Sequence, residues 1–222
     1  MSTPETGERL VGEIPATPAV PATSARRASQ LTRMLAWTGV DALRLEAARV
    51  VLGERSMRAS GCLISARREN AEAYSASYSL ATDESGVVQR LTVRTIRAQG
   101  EEYVSLARSE EGIWLVDRVC QGAGTLRTNF SGALDVDLTF SPLFNAIPVR
   151  RLGLHRAAAQ HDLPVVIVSL PGLEVGCAWQ TYRTVAVGET TVLCFTSDLS
   201  ETEFTVDADG LVLDYPGLAH RG

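Results

Sequence analysis

With 222 residues, 45% of them hydrophobic and 21% charged, the chain has the balance of an ordinary globular protein and room for one large domain or two small ones. A net charge of -5 and a pI near 5.3 argue against a nucleic-acid binder, which needs a basic surface. All the positive charge is arginine; no lysine occurs, so lysine Schiff bases and P-loop lysines are excluded.

Residues 1–29 carry early acidic residues and no apolar h-region, so they do not read as a secretory signal. Their Pro, Ala, Thr and Ser content predicts a disordered leader, followed by one domain over 30–222. The longest apolar run, LPVVIVSLPGL, is about half a membrane span and holds two prolines, so no transmembrane segment is expected. Cys62, Cys120, Cys177 and Cys194 lack C-x-x-C spacing, which argues against a zinc or redox motif. Cys62 and Cys194 sit inside apolar runs and are expected as buried free thiols. These features predict a cytoplasmic protein.

From about Gln30 onward the hydrophobic pattern has period two. SGCLIS, EGIWLVDRV, LPVVIVSL, TTVLCFTS, TEFTV and LVLDY read as strands, and DESG, AQGEE and DADG as the turns between such runs. DALRLEAARVVLGE fits an amphipathic helix ending at Gly53, or a strand with Leu43, Leu45 and Ala47 alternating. No repeat of 20–50 residues stands out, which leaves a propeller or solenoid unsupported. A long antiparallel β structure with little helix is the physical expectation. Trp37, Trp114, Trp179, Tyr182 and Tyr215 are candidates for a pocket lining, although aromatics at strand spacing belong more often to the core. His155, His161 and His220 have no metal-ligand spacing. GAGTLR at Gly122 begins like a dinucleotide fingerprint but lacks the third glycine.

The densest polar pattern is DVDLTFSPLFNAIPVRRLGL, from Asp135. Leu134, Val136, Leu138 and Phe140 are predicted to share the core face of a strand, with Asp135, Asp137 and Thr139 on the other. Two carboxylates about 7 Å apart on one strand face could share a cation, or pair with arginines, or face water. Ser141-Pro142 reads as an N-cap followed by Pro at N1, and Asn145 as the cap of a short helix AIPVRRL. Gly153 then stops the helix, and Arg150 and Arg151 sit in its last turn, where cations suit the dipole. One of these arginines is expected to reach Asp135 or Asp137, or an anionic head group.

GALDVDLTFSPLFNAIPVRRLGL also resembles the signature of the putative glycolipid-binding family. The resemblance extends through IWLVDRVCQGAGTL and SGCLIS upstream, and through VSLPGLEV, QTYRTV and VDADGLVLDYPGLAHR downstream. It departs at Ser141 and Phe144, where threonine is usual. It implies a spiral β-roll, many antiparallel strands wrapped around a single short helix, and a lipid or glycolipid ligand. It carries over no catalytic residue.

The expected function is non-enzymatic lipid or glycolipid binding, with Asp135, Asp137, Arg150 and Arg151 at the head group. Asn145, Gln180, Tyr182 and Tyr215 complete the candidate ligand-binding set, and no cofactor or metal ligand is assigned. Two other readings stand beside it. One is an enzyme with Asp135 or Asp137 as general base and an arginine as clamp. The other is a β-rich interaction module forming a homodimer, whereas the carrier reading is compatible with a monomer.

Overall fold

The computed structural model describes Met1 and residues 30–40, 43–67, 72–119, 125–198 and 200–222. The leader read at 1–29, Met1 apart, lies outside the described residues, as do Cys120 and Gly122.

The alternation of β-branched and apolar residues produces a meander of eight strands. These are β1 (Leu31–Gly39), β2 (Arg44–Leu52), β3 (Met57–Ser65), β4 (Tyr74–Thr82), β5 (Val88–Arg97), β6 (Gly100–Arg108), β7 (Trp114–Val119) and β8 (Leu126–Thr128). A short β9 (Asp135–Leu138) follows, then a 3-10 turn at Pro142–Asn145 and helix α1 (Ala146–Leu152). The second meander is β10 (Gln160–Ser169), β11 (Glu174–Ala186), β12 (Thr191–Thr196), β13 (Glu201–Val206), β14 (Val212–Tyr215) and β15 (Ala219–Arg221). Among the described residues these fifteen strands make one sheet. β1 pairs with β15 in its middle, through Trp37↔Arg221, and β8 and β9 are its edges, so it does not close into a barrel. Every pairing is antiparallel except β9 with β10, the one that α1 connects.

The polar-apolar stretch after β9 forms the axle of this roll. Phe140 takes a left-handed turn (φ 71°), and residues 141–150 are all buried. Strands and turns from both meanders meet this segment. The Tyr78 ring of β4 stands edge-on to Phe144 at 5.2 Å, and the Tyr182 hydroxyl of β11 lies 3.1 Å from Asn145 Oδ1. Arg150 Nη2 donates to the Gly53 carbonyl (2.8 Å) in the β2–β3 turn, and Nη1 donates to the Asp209 carbonyl in the β13–β14 turn. One core cluster lies against Phe144 and Ile147, and a second gathers Val149 with Tyr182, Phe204 and Tyr215. The mainly β roll around a single short helix is therefore the observed fold.

The helix has the predicted bounds, and Gly153 ends it at φ 70°, a conformation that costs a residue with a Cβ about 1 kcal/mol or more. The turns DESG and DADG also fall as expected. In the first, Asp83 Oδ1 accepts from the Ser85 and Val87 N–H groups at 2.9 and 3.0 Å. DALRLEAARVVLGE resolves as strand β2.

Three local expectations need correction, and one left open is resolved. Ser141 and Asn145 make no side-chain cap; tertiary partners, Glu46 and Tyr182, take their polar atoms instead. Of the readings open for the β9 aspartates, pairing with an arginine holds for Asp135, which Arg151 neutralises and lets be fully buried, while Asp137 is bonded by Gln180 instead. Phe140 leaves the strand face at its left-handed turn and is 43% exposed. Cys62 alternates outward beside buried Leu63 and is exposed, whereas Cys194 is buried.

Gly61 of β3 lies opposite Tyr78 of β4 and has no room for a side chain. A Cβ there would overlap the Tyr78 hydroxyl and stand 2.9 Å from the Ala47 carbonyl oxygen. Gly61→Ala is expected to destabilise the fold by about 1–3 kcal/mol, the usual range for overpacking, read as a lower urea midpoint with unchanged slope.

Candidate functional site

The end of β9, the β10–β11 turn and the β14–β15 turn lie at one end of the sheet. A cavity of about 740 Å³ opens there between β9 to β11 and β12 to β15. Its walls are chiefly apolar: Leu138, Ile167, Leu170, Phe195, Tyr215 and Leu218. Its polar floor is built from three residues predicted as a ligand set: Asp137, Asn145 and Gln180.

A chain of hydrogen bonds fixes that floor. Gln180 Nε2 donates to Asp137 Oδ2 at 3.0 Å, which sets the amide so that its Oε1 faces Tyr182. The Tyr182 hydroxyl stands 3.1 Å from both Gln180 Oε1 and Asn145 Oδ1, and its one proton serves one of them at a time. Burial holds the Tyr182 phenol well above its ordinary pKa, so it remains a neutral donor. Burial also raises the Asp137 carboxyl, while bonds from Gln180 and the Leu138 N–H oppose the shift. A carboxylate accepts several hydrogen bonds, so Asp137 keeps acceptor capacity for a ligand.

Ser141 belongs both to the cavity wall and to a second buried cluster. Its hydroxyl donates to Glu46 Oε1 at 2.6 Å, and the Tyr78 hydroxyl donates to the same oxygen. Glu46 Oε2 is buried without a hydrogen-bond partner among the described residues. Desolvation raises the Glu46 pKa to about 7, against the lowering effects of Ser141, Tyr78 and Arg44. The sequence carried a signal for this residue that the strand pattern alone did not bring forward: Glu46 shares its parity with Ala48, Val50 and Leu52, all buried.

The remaining predicted site residues stand elsewhere. Arg151 grips Asp135 with two bonds, Nε to Oδ1 at 2.9 Å and Nη2 to Oδ2 at 2.5 Å. Even so, burial keeps the Asp135 carboxyl above its ordinary pKa. Arg150 clamps the two turns described above. Neither arginine lines the cavity, so the clamp of the enzymatic reading is not beside Asp137. Asp135 and Asp137 have separate partners, and among the described residues no three metal-ligating side chains come together. Tyr215 lines the cavity; Tyr182 lies behind its floor. Trp37 and Trp114 are core residues donating to the Val212 and Ala133 carbonyls, and Trp179 is 57% exposed. Phe195, Ser197 and Asp198, which line the cavity from β12 and the turn after it, carry no motif by which the sequence would single them out.

Among the described residues no helix is long and apolar enough to cross a membrane. No curated protein matches the chain. The fold is similar to the crystal structure, at 1.80 Å resolution, of a DUF1089 family protein from Pseudomonas aeruginosa. The TM-score is 0.64 at 23% identity, over 80% of this chain and 92% of that one. The family model described as Putative glycolipid-binding matches residues 34–221, and the chain belongs to that family.

Proposed function

We propose that the chain binds a lipid or glycolipid in the cavity between β9 and β15, without chemical conversion of the ligand. One observation carries the reading: a cavity of about 740 Å³ with chiefly apolar walls and a small, fixed polar floor. That volume lies within the range of about 300–1,000 Å³ for pockets that enclose small ligands, and a few placed polar groups among apolar walls are what orient an amphiphile. Family membership supports the same ligand class. Asp137, Asn145, Gln180 and Tyr215 are the residues assigned to contact. Exposed free thiols at Cys62 and Cys177 suit a reducing, cytoplasmic setting.

Native mass spectrometry of the purified protein tests the reading. A co-purifying lipid mass is expected, and Ala178→Trp, which puts a large ring into the cavity wall, is expected to reduce that adduct at least tenfold while leaving the circular dichroism unchanged. A clean unliganded mass for the wild-type protein under gentle conditions, with no lipid taken up on addition, would sink it.

A further inference from the structure

Resting on that lipid-binding reading, we propose that the protein docks on a lipid bilayer through an apolar patch beside the cavity, formed by the β1–β2 turn, the facing ends of β2 and β3, and Phe140. The patch borders the cavity, and Phe140 belongs to both: it is part of the lining and is exposed to solvent. The Val40 N–H donates to the carbonyl of Leu218, another lining residue, at 3.2 Å. The Arg44 guanidinium lies over the Phe140 ring, 4.3 Å from its centroid, which holds the turn at Leu43 to the same rim. The Leu43 carbonyl accepts from the Ala66 N–H at 2.9 Å, tying the β3–β4 turn to the β1–β2 turn. One row further along, Leu45 and Ile64 are cross-strand partners, and both face outward. Leu43 is 82% exposed, and Val40, Leu45, Ile64 and Phe140 are 43–55% exposed. Apolar side chains so grouped gain from a cover.

A bilayer is the cover that this position fits. A lipid ligand passes from one apolar phase to another, and a cavity opening beside a membrane contact spares its tail a passage through water. The most exposed member, Leu43, stands at a turn on the end of the sheet, where it can enter a soft surface. A second copy of the chain would instead pair most readily along the open strand edges, β8 and β9. Arginine suits the headgroup level, because its stem stays in apolar surroundings while the guanidinium reaches phosphate. Arg44 stands within the patch, and exposed Arg67 follows Ala66 in the adjoining turn. Glu46, next along β2, is buried. Exposed Asp198 and Ser200 bring the β12–β13 turn to the cavity, so the membrane contact is confined to the Phe140 side. With a net charge of -5 the chain has no overall attraction to anionic lipid, and the affinity rests on the apolar side chains.

The test is flotation of the full chain with vesicles of phosphatidylcholine containing a minor share of phosphatidylglycerol. The wild-type protein is expected to float with them. Leu43→Glu is expected to lower the partition coefficient by about tenfold or more, since it removes an apolar contact and sets a charge against the acyl chains, with circular dichroism unchanged. Val187→Glu changes an exposed apolar position just after β11, at the opposite end of the sheet, and is expected to move it by less than about twofold. Leu43→Trp is expected to lose its added fluorescence in vesicles with brominated acyl chains, while Val187→Trp keeps it. No vesicle binding by the wild type, or equal binding by Leu43→Glu, overturns the docking. So does a wild-type dimer in sedimentation that Leu43→Glu splits while vesicles go unbound, which would make the patch an interface between copies. The co-purifying lipid in native mass spectrometry separates this proposal from the reading it rests on. An adduct without vesicle binding overturns the docking alone, and the absence of both removes the two together.

Discussion

Arg151→Met is expected to lower the free energy of unfolding by about 3–5 kcal/mol, because it leaves Asp135 as an unpaired buried carboxylate. Asp135 is fully buried, and both of its oxygens are held by the one guanidinium. Burial already favours the protonated acid, and losing Arg151 removes the influence that opposes it. The loss is therefore expected to be smaller in acid, where the stranded carboxyl takes up a proton, and larger above neutral pH. The double variant Asp135→Leu/Arg151→Met is expected to recover most of the stability, since apolar pairs often replace buried ion pairs at little net cost. Urea unfolding of the two variants and the wild type at pH 5 and pH 8 checks this. A loss below 1 kcal/mol for the single variant at pH 8 would mean that the pair is not what permits the burial of β9.

The second large effect concerns Glu46. Its carboxyl is raised from 4.5 to about 7 in the folded protein, so folding favours the protonated form. The stability it contributes is present below about pH 4.5 and is lost as pH rises from there to about 7, a change on the order of 3 kcal/mol. Glu46→Gln carries no charge and is expected to lack that slope, so the two proteins should diverge between pH 4.5 and 7 in favour of the variant and run parallel above. The difference curve is the measurement. The absolute offset also contains the cost of an amide N–H placed where Oε2 now has no partner. Parallel curves throughout would show that Glu46 titrates as it does in water.

The legible and illegible parts of this fold divide along one physical line. Period two in β3 and β4, the turn residues Asp83 and Asp207, and the helix AIPVRRL with its Gly153 stop depend on neighbours in the chain, and they stand where local chemistry puts them. The uses of Ser141 and Asn145 depend on what arrives from elsewhere. Each could cap a helix, yet Glu46 lies 95 residues away from Ser141 in sequence, and Tyr182 lies 37 from Asn145. The same holds for the arginines. Their place in the last helical turn follows from local pattern, but Arg151 meeting Asp135 while Arg150 spans two turns is set by the curvature of the sheet. Asp137, Asn145, Gln180 and Tyr215 meet at the cavity because β9, the axle, β11 and β14 converge there, which no spacing along the chain encodes.

The pairing of β1 with β15 bears on the order in which the chain can fold. Each meander is built from contacts between sequence neighbours and can zip up by short loop closures. Their junction joins Trp37 to Arg221, so it waits until the 184 residues from Thr38 to Arg221 have been made. Until then the first meander carries an unsatisfied backbone edge along β1, flanked by exposed Met34 and Leu43, the kind of edge that recruits strands from other molecules. The three-residue strand β15 is thus a late partner, and it covers only the Trp37–Gly39 end of that edge.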